Sequence, residues 1–415
     1  METVRLDRDV FQTIAPNGVR ILSERVPTVR SVAAGIWVRS ASVHESRDEM
    51  GVSHLLEHMV FKGTERRTAS EIATAIEGLG GTLDAYTTRE HTSYQARVLD
   101  EHVPEALDVL ADLVLAPRLD EADLELEREV VLEEIAEVED TPDDLVFELH
   151  ARSLWGAHAF GRSILGTPES VSSMRAERLR EIHAERYLGE NLVVAAAGNV
   201  HHDDLVERVQ ALFGRVERGA RTPPVERPDG TRSGVERVSR ETAQTHVVFG
   251  TDVPGHAHPD RYAFVLLSSA LGSGMSSRLF QRVREELALC YTIYTYQSFY
   301  TPCGISGVYV GTRPATAEQA AAAVRDELAR VASDGIPELE LERVKRQVKG
   351  QVMLSLESTG ARLHRLASFA LHDEPMLDLG GLLAKIDAVT PDDVARIAAR
   401  WFTPERQLEL RLGPG

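Results

Sequence analysis

The spacing of apolar residues along the chain predicts a mixture of strands and helices. Residues 31–38 and 246–249 are rich in β-branched and aromatic side chains, which are typical of strands. Residues 105–115 and 316–332 carry apolar positions about every 3.6 residues, which predicts helices. Residues 83–98 have the pattern of a β-hairpin. Long helices beside hairpins favour an α+β fold over a doubly wound parallel sheet.

The chain divides near its middle, and its second half resembles its first. Residues 217–237 are rich in Pro, Gly and charged residues, which predicts a linker. The sequence Leu-Glu-Leu-Glu-Arg occurs at 124–128 and again at 339–343. We therefore expect two homologous halves, an N-terminal domain over residues 1–216 and a C-terminal domain over 238–415.

Composition excludes several classes of protein. The 415 residues carry a formal net charge of −19, which argues against binding nucleic acids or anionic membranes. The two cysteines, Cys290 and Cys303, are too few for a disulfide framework. No stretch has the apolar length of a membrane span, and the N-terminus lacks an apolar signal region. We expect a cytoplasmic protein.

One motif in the first half points to metal chemistry. His54, Glu57 and His58 form an HxxEH sequence within an apolar segment of helical spacing. Histidines four residues apart on a helix project from the same face and can bind one Zn²⁺. Glu57 lies beside them, where it can reach a metal-bound water. The alternative is an ordinary helix in which hydrogen bonds satisfy both histidines.

A catalytic zinc ion needs a third protein ligand, and helical spacing identifies candidates. Leu124, Glu127, Val131, Glu134 and Val138 lie on one stripe of a predicted helix, so two carboxylates share an apolar face. Buried carboxylates are costly unless they are paired or metal-bound. The alternative is a solvated acidic helix, because 14 of residues 119–148 are acids.

The duplication provides an internal control for this metal site. At an offset of 215, Lys349 stands where the first half has Glu134, and an ammonium group cannot bind zinc. The second half also contains no HxxEH. If the halves are duplicates, only the N-terminal one can hold metal.

With these residues, the sequence resembles the pitrilysin family of zinc peptidases, most closely bacterial relatives of the mitochondrial processing peptidase. The motif of that family is HxxEH followed by a glutamate 76 residues after the second histidine. The resemblance implies that His54, His58 and Glu134 hold one Zn²⁺ per chain. It implies that Glu57 is the general base and Glu127 a supporting active-site glutamate. It also implies two homologous halves, each a mainly antiparallel sheet with helices packed on one face, that form a clam-like cleft.

The resemblance assigns further residues to substrate binding. Asp84 and Ala85 match an edge strand on which relatives bind peptide as an added strand. At position 84 this chain has Asp where many relatives have Asn. A peptide bound through the strand backbone would tolerate that difference. Arg284 and Tyr291 match a pair that reaches the substrate in relatives. Without the resemblance, a surface Arg and a core Tyr is the favoured interpretation. The glycine-rich stretch at 272–277 resembles a shortened form of a processing-peptidase loop.

Two more acids predict which peptides are preferred. Asp144 and Glu148 lie one helical turn apart and match positions that face a substrate arginine in the processing peptidase. Residues 119–148 contain 14 acids and one Arg, so much of the net charge lies in this segment. We expect a preference for basic peptides, although a solvated acidic pair is the alternative.

The sequence therefore predicts a zinc endopeptidase that cleaves peptides or unfolded protein segments, with Glu57 assisting attack by a zinc-bound water. The resemblance implies a dimer, and the intact motif in one chain suggests a homodimer. One alternative is a subunit of a processing-peptidase-like hetero-oligomer. Another is a non-catalytic structural member of the family, although such members usually lack HxxEH.

Overall fold

A computed structural model describes residues 1–414, which form two compact units. The N-terminal unit consists of Met1–Ile135, Ser163–Pro223 and Ser355–Met376. The C-terminal unit consists of Ala136–Arg162, Pro224–Leu354 and Leu377–Gly415. Each unit contains one β-sheet with helices packed against it, which confirms the predicted α+β class.

The strands are β1 (Thr3–Asp7), β2 (Val10–Ile14), β3 (Arg20–Arg25), β4 (Ser31–Val38), β5 (Thr82–Thr87), β6 (Thr92–Leu99), β7 (Leu192–Gly198), β8 (Gly234–Ser239), β9 (Thr245–Pro254), β10 (Cys290–Phe299), β11 (Cys303–Thr312) and β12 (Leu408–Gly413). The first seven strands form one sheet and the last five form the other.

The helices are α1 (Val52–Val60), α2 (Ala69–Glu77), α3 (Val103–Leu115), α4 (Glu121–Asp140), α5 (Pro142–Trp155), α6 (Pro168–Ser173), α7 (Ala176–Arg186), α8 (His202–Phe213), α9 (Arg261–Gly272), α10 (Ala317–Asp334), α11 (Glu338–Ser355), α12 (Thr359–Leu371), α13 (Leu379–Asp387) and α14 (Pro391–Trp401). A π-helical segment, Phe280–Glu286, precedes β10. Among residues 1–414, no helix combines the length and apolarity that crossing a bilayer requires.

The two sheets share one strand order. The N-terminal sheet contains the run β3-β7-β4-β6-β5, and the C-terminal sheet is β8-β12-β9-β11-β10. In each run only the first pair is parallel, β3 with β7 and β8 with β12. The repeated segments at 124–128 and 339–343 lie in α4 and α11. This correspondence confirms the two homologous halves, and β1 and β2 extend the first sheet beyond the repeat.

The central strands are apolar throughout because helices cover both faces of the N-terminal sheet. All of β7 and seven of the eight residues of β4 are buried. On one face, Trp37 and Val193 pack against Leu366 of α12. On the other face, Ile36 and Val194 belong to the main core of the unit, together with α1 and α3.

The compact units differ from the predicted boundaries of 1–216 and 238–415, because each unit includes one helix from the other half of the sequence. Helix α5 belongs to the C-terminal unit, where it packs on β9 and β12. Helix α12 belongs to the N-terminal unit, where it packs on β3, β4 and β7. Strand β8 also begins inside the stretch predicted as a linker. An apolar stripe predicts that a helix covers a sheet, but it does not specify which sheet.

Candidate metal centre

The helix that carries the HxxEH motif begins at a constrained turn. Gly51, just before α1, has a φ of +90°, and a Cβ on it would lie 2.4 Å from the Leu165 carbonyl oxygen. The buried Glu45 carboxylate accepts hydrogen bonds of 2.8 Å from the Gly51 and Ser53 amides. This carboxylate satisfies amides at the helix N-terminus that have no intrahelical partner. Burial raises the pKa of Glu45 to about 7.

Helix α1 is amphipathic, so its packing determines where the motif residues point. Its core face consists of buried side chains, including Val52, Leu55, Leu56 and Met59. The motif residues His54, Glu57 and His58 are only partly buried. The opposite face thus remains available for chemistry.

Helix α4 presents the predicted stripe, with one departure. Leu124 and Val131 are fully buried, and Glu127 is 5% exposed. Glu134 is partly exposed, which suits a residue at the edge of a site. The prediction that Val138 points inward is wrong, because it is only half-buried and Ile135 takes the inward position. A straight helix has 3.6 residues per turn, so a strict +3, +4 pattern drifts off the buried face.

Three side chains of α1 and α4 converge as a zinc ligand set would. Glu134 Oε2 lies 3.5 Å from His54 Nε2, and Glu134 Oε1 lies 3.6 Å from His58 Nε2. Zinc–ligand distances of about 2.0–2.2 Å in a tetrahedral site place ligand atoms about 3.3–3.6 Å apart. Among residues 1–414, these three form the one group of at least three His, Cys, Asp or Glu side chains close enough to share a metal.

The electrostatics of the group also suit a metal. Burial, and secondarily the neighbouring His58, lower the pKa of His54 to about 4. The His54 ring is therefore neutral near pH 7 and has a lone pair to donate. Two imidazoles and one carboxylate form a donor set that fits Zn²⁺.

Glu127 lies behind His58. Its Oε2 atom is 3.1 Å from His58 Nδ1, and its Oε1 atom pairs with the Lys62 ammonium. An Nδ1–H bond to a carboxylate is the usual outer contact of a histidine ligand, because it directs Nε2 towards the metal. Sequence reasoning missed Lys62. Its position four residues after His58, as one of only four lysines in the chain, was an available signal.

Glu57 is held by a residue from the sheet. Thr87, at the end of β5, donates a 2.5 Å hydrogen bond to Glu57 Oε2. Burial raises the pKa of the Glu57 carboxyl, while Thr87 and His58 act in the opposite direction. Sequence reasoning missed Thr87 as well, although it ends the strand that contains Asp84 and Ala85.

Strand β5 is an edge strand that lies against the metal-site helix. Among residues 1–414, its one strand neighbour is β6, so one backbone edge is free of sheet pairing. Asp84 is exposed and Ala85 is half-buried. A cavity of about 520 Å³ lies beside the strand. Its lining includes Phe61, Ile72, Leu83 and two acids, Glu77 and Asp84.

The other predicted substrate residues lie in the C-terminal unit. The Arg284 guanidinium stacks over the Tyr291 ring, 5.0 Å from its centroid, and Tyr291 is 75% exposed. The structure therefore brings this pair together within its unit. Tyr291 is not the core residue that the alternative interpretation required.

The acidic pair lies on α5 in the same unit. Asp144 is exposed and Glu148 is half-buried. Among residues 1–414, neither forms an ion pair with a basic side chain. Burial, Asp143 and Asp144 raise the pKa of the nearby Tyr294. Asp144 thus lies close enough to Tyr294 to act on its hydroxyl electrostatically.

Comparisons with known proteins identify the family of the chain. Residues 20–168 match a family model described as Insulinase (Peptidase family M16), and residues 173–348 match one described as Peptidase M16 inactive domain. A Streptomyces coelicolor protein described as an uncharacterized zinc protease is 42% identical over 94% of this chain and 86% of its own length. A Bacillus subtilis protein, also described as an uncharacterized zinc protease, is 39% identical over 95% of this chain and 96% of its own.

Solved structures show the same fold. A Pseudomonas fluorescens structure described as a peptidase M16 inactive domain superposes with a TM-score of 0.91 at 20% identity, covering 98% of both chains. A Helicobacter pylori protease superposes with a TM-score of 0.88 at 20% identity, covering 97% of this chain and 99% of its own. The family models and the two sequence relatives establish that the chain belongs to the M16 family of insulinase- and pitrilysin-type peptidases.

Proposed function

We propose that this protein is a zinc-dependent endopeptidase that hydrolyses peptides or unfolded protein segments. The observation that carries the proposal is the convergence of His54, His58 and Glu134 beside the carboxylate of Glu57. In this proposal the three converging side chains hold one Zn²⁺ per chain. A bound zinc ion supplies Lewis acidity, which polarises a carbonyl and acidifies water.

Glu57 moves the proton in the proposed reaction. Thr87 fixes its Oε2 atom, which leaves Oε1 to accept a proton from the attacking water. The same carboxyl then delivers the proton to the leaving amine. Burial raises the pKa of Glu57, which brings the carboxyl closer to the operating pH and suits both steps.

Strand β5 is the proposed docking edge for the substrate backbone. Its free edge offers amide and carbonyl groups to an extended peptide, and α1 packs directly against it. Alternate side chains of such a peptide point to the same side of the sheet. The cavity beside β5 would take one of them, and its apolar lining with Glu77 and Asp84 suits an apolar or basic side chain.

Asp144 and Glu148 support a preference for arginine-containing peptides. Carboxylates without an internal cation pair strongly with a guanidinium group, because two parallel hydrogen bonds can form. We further propose that the chain works as a homodimer without a second type of subunit. The support is that one chain carries both HxxEH and the Arg284/Tyr291 pair.

Substitution of Glu57 by Gln tests the proposal. Glutamine keeps the size of the side chain but cannot accept the proton. We expect Glu57→Gln to retain bound zinc while cleavage falls by roughly 10²–10⁴-fold, the range that general acid–base catalysis contributes. Zinc content and peptide cleavage should be measured on the same preparations. A zinc-loaded Glu57→Gln protein that cleaves at the wild-type rate would overturn the assignment.

A further inference from the structure

An ion pair lies behind one of the two candidate histidine ligands and not the other. Lys62 pairs with Glu127 Oε1, and Glu127 Oε2 faces His58 Nδ1 at 3.1 Å. By contrast, His54 Nδ1 is buried and has no hydrogen-bond partner within residues 1–414. Outer contacts fix the orientation of a histidine ligand, so here the protein orients His58 through a chain of two charged groups.

The backbone holds Lys62 in the position from which it reaches Glu127. Its amide donates to the Met59 carbonyl at 3.2 Å, which closes the last turn of α1. The Arg118 guanidinium donates to the Lys62 carbonyl at 3.0 Å. Gly63 then turns the chain away with a φ of +134°, a conformation that favours glycine. Lys62 is thus fixed on both sides rather than carried by a free loop.

The charge of Lys62 matters because Glu127 is nearly inaccessible to water. Only 5% of Glu127 is exposed, and a buried carboxylate without a cation is strongly destabilised. The His58 ring lies within hydrogen-bonding distance of one Glu127 oxygen only, and the cation at the other oxygen is Lys62. Without Lys62, the Glu127 carboxylate would be more stable if it turned towards solvent and became hydrated. His58 Nδ1 would then lose its hydrogen-bond acceptor.

The geometry points to Lys62 as a positioning residue that holds Glu127 against His58 and thereby directs His58 Nε2 to the metal. This inference rests on the proposed function, because it concerns the affinity of the same site for zinc. Lys62 acts through Glu127, because a protonated ammonium group has no lone pair with which to bind a metal. Its role is therefore read from zinc affinity rather than from turnover.

The test measures zinc affinity by competition with a chromogenic chelator on the full chain. We expect Lys62→Met to bind zinc about 10–100-fold more weakly than the wild type, the usual cost of losing an outer-shell partner. Lys62→Arg should recover most of the affinity, because it restores the charge. The matched control is Lys385→Met, since Lys385 is exposed on α13. It should bind as the wild type does.

A double substitution separates positioning from a general loss of stability. If Lys62 acts through Glu127, Lys62→Met should have no further effect in a Glu127→Gln background, whereas independent effects would add. The inference is overturned if Lys62→Met binds zinc as tightly as the wild type, if it weakens binding equally in both backgrounds, or if Lys62→Arg is as weak as Lys62→Met. Failure of the wild type to bind zinc would instead refute the proposed function.

Discussion

The two units have the same strand order but place different side chains on it. In the N-terminal unit the connection from β4 to β5 contains α1, with its two histidines. In the C-terminal unit the connection from β9 to β10 contains α9, an apolar core helix with Phe264, Leu267 and Leu271 buried. The sheet and its covering helices therefore do not require metal donors.

The paired helices α4 and α11 make the contrast sharper. At the position of Glu134, α11 has Lys349, which forms a 2.6 Å ion pair with Asp387. At the position of Glu127, it has Glu342, whose side chain is 53% exposed and pairs with Lys345. Ordinary ion pairs thus occupy the positions that correspond to the candidate metal centre of the other unit. The strand order shared by the two units is therefore compatible with either set of side chains.

The largest effect should come from removing a proposed metal ligand, Glu134, from the N-terminal unit. Glu134→Gln removes a charged ligand, so zinc affinity should fall by more than the roughly 10–100-fold cost of an outer-shell change, and cleavage should fall with it. Lys349→Gln, its counterpart in α11, should change neither. Chelator competition and peptide cleavage measure both variants. Equal losses of zinc affinity in the Glu134→Gln and Lys349→Gln variants would contradict the expectation that only the N-terminal unit binds metal.

An intermediate effect should reveal what the C-terminal unit contributes to specificity. Combined charge reversal at Asp144 and Glu148 should weaken cleavage of arginine-containing peptides about tenfold or more, because a hydrogen bond to a charged group contributes roughly 1.5–3 kcal/mol. Neutral peptides should be cleaved as before. The control reverses Glu137 and Glu139, which are exposed on the neighbouring α4. A similar loss on neutral peptides would remove the basis for arginine recognition.

The smallest effect should be on stability, and it concerns the N-terminal caps of two equivalent helices, α14 and α7. Helix α14 begins with a capping box in which Thr390 accepts from the Asp393 amide at 3.2 Å. Its counterpart α7 begins at Arg175, whose side chain makes no capping bond. Thr390→Ala should lower the free energy of unfolding by about 1 kcal/mol, while Arg175→Ala should leave it nearly unchanged. Denaturant unfolding measures the loss of unfolding free energy in both variants. A larger loss in Arg175→Ala than in Thr390→Ala would show that the capping bond does not account for the stability of these helix N-termini.

Local patterns predicted the elements well. Strand β4 begins and ends at the predicted residues, 31 and 38, because it is apolar along its whole length. The predicted helix at 105–115 begins two residues earlier, at Val103, because Pro104 is favourable in a first turn. The HxxEH spacing and the α4 stripe singled out His54, His58, Glu127 and Glu134 as candidates, because helical periodicity is a local property. Only the family resemblance chose Glu134 over Glu127 as the third ligand.

What the sequence did not predict depends on contacts between distant segments. The helices α5 and α12 each pack on the sheet of the other half, and their apolar faces would suit either sheet. Lys62 and Thr87 support Glu127 and Glu57 from positions 65 and 30 residues away. The position of Lys62 near His58 was a signal in the sequence, but only the fold shows that it pairs with Glu127 and that Thr87 contacts Glu57.

The most direct test of the central claim is the zinc stoichiometry of the purified chain. Dialysis against buffered Zn²⁺ followed by elemental analysis should give close to one zinc per chain. Removal of the metal by a chelator should abolish peptide cleavage, and zinc should restore it. Absence of bound zinc, a second ion of equal affinity, or cleavage that survives complete chelation would contradict a single metal centre in the N-terminal unit.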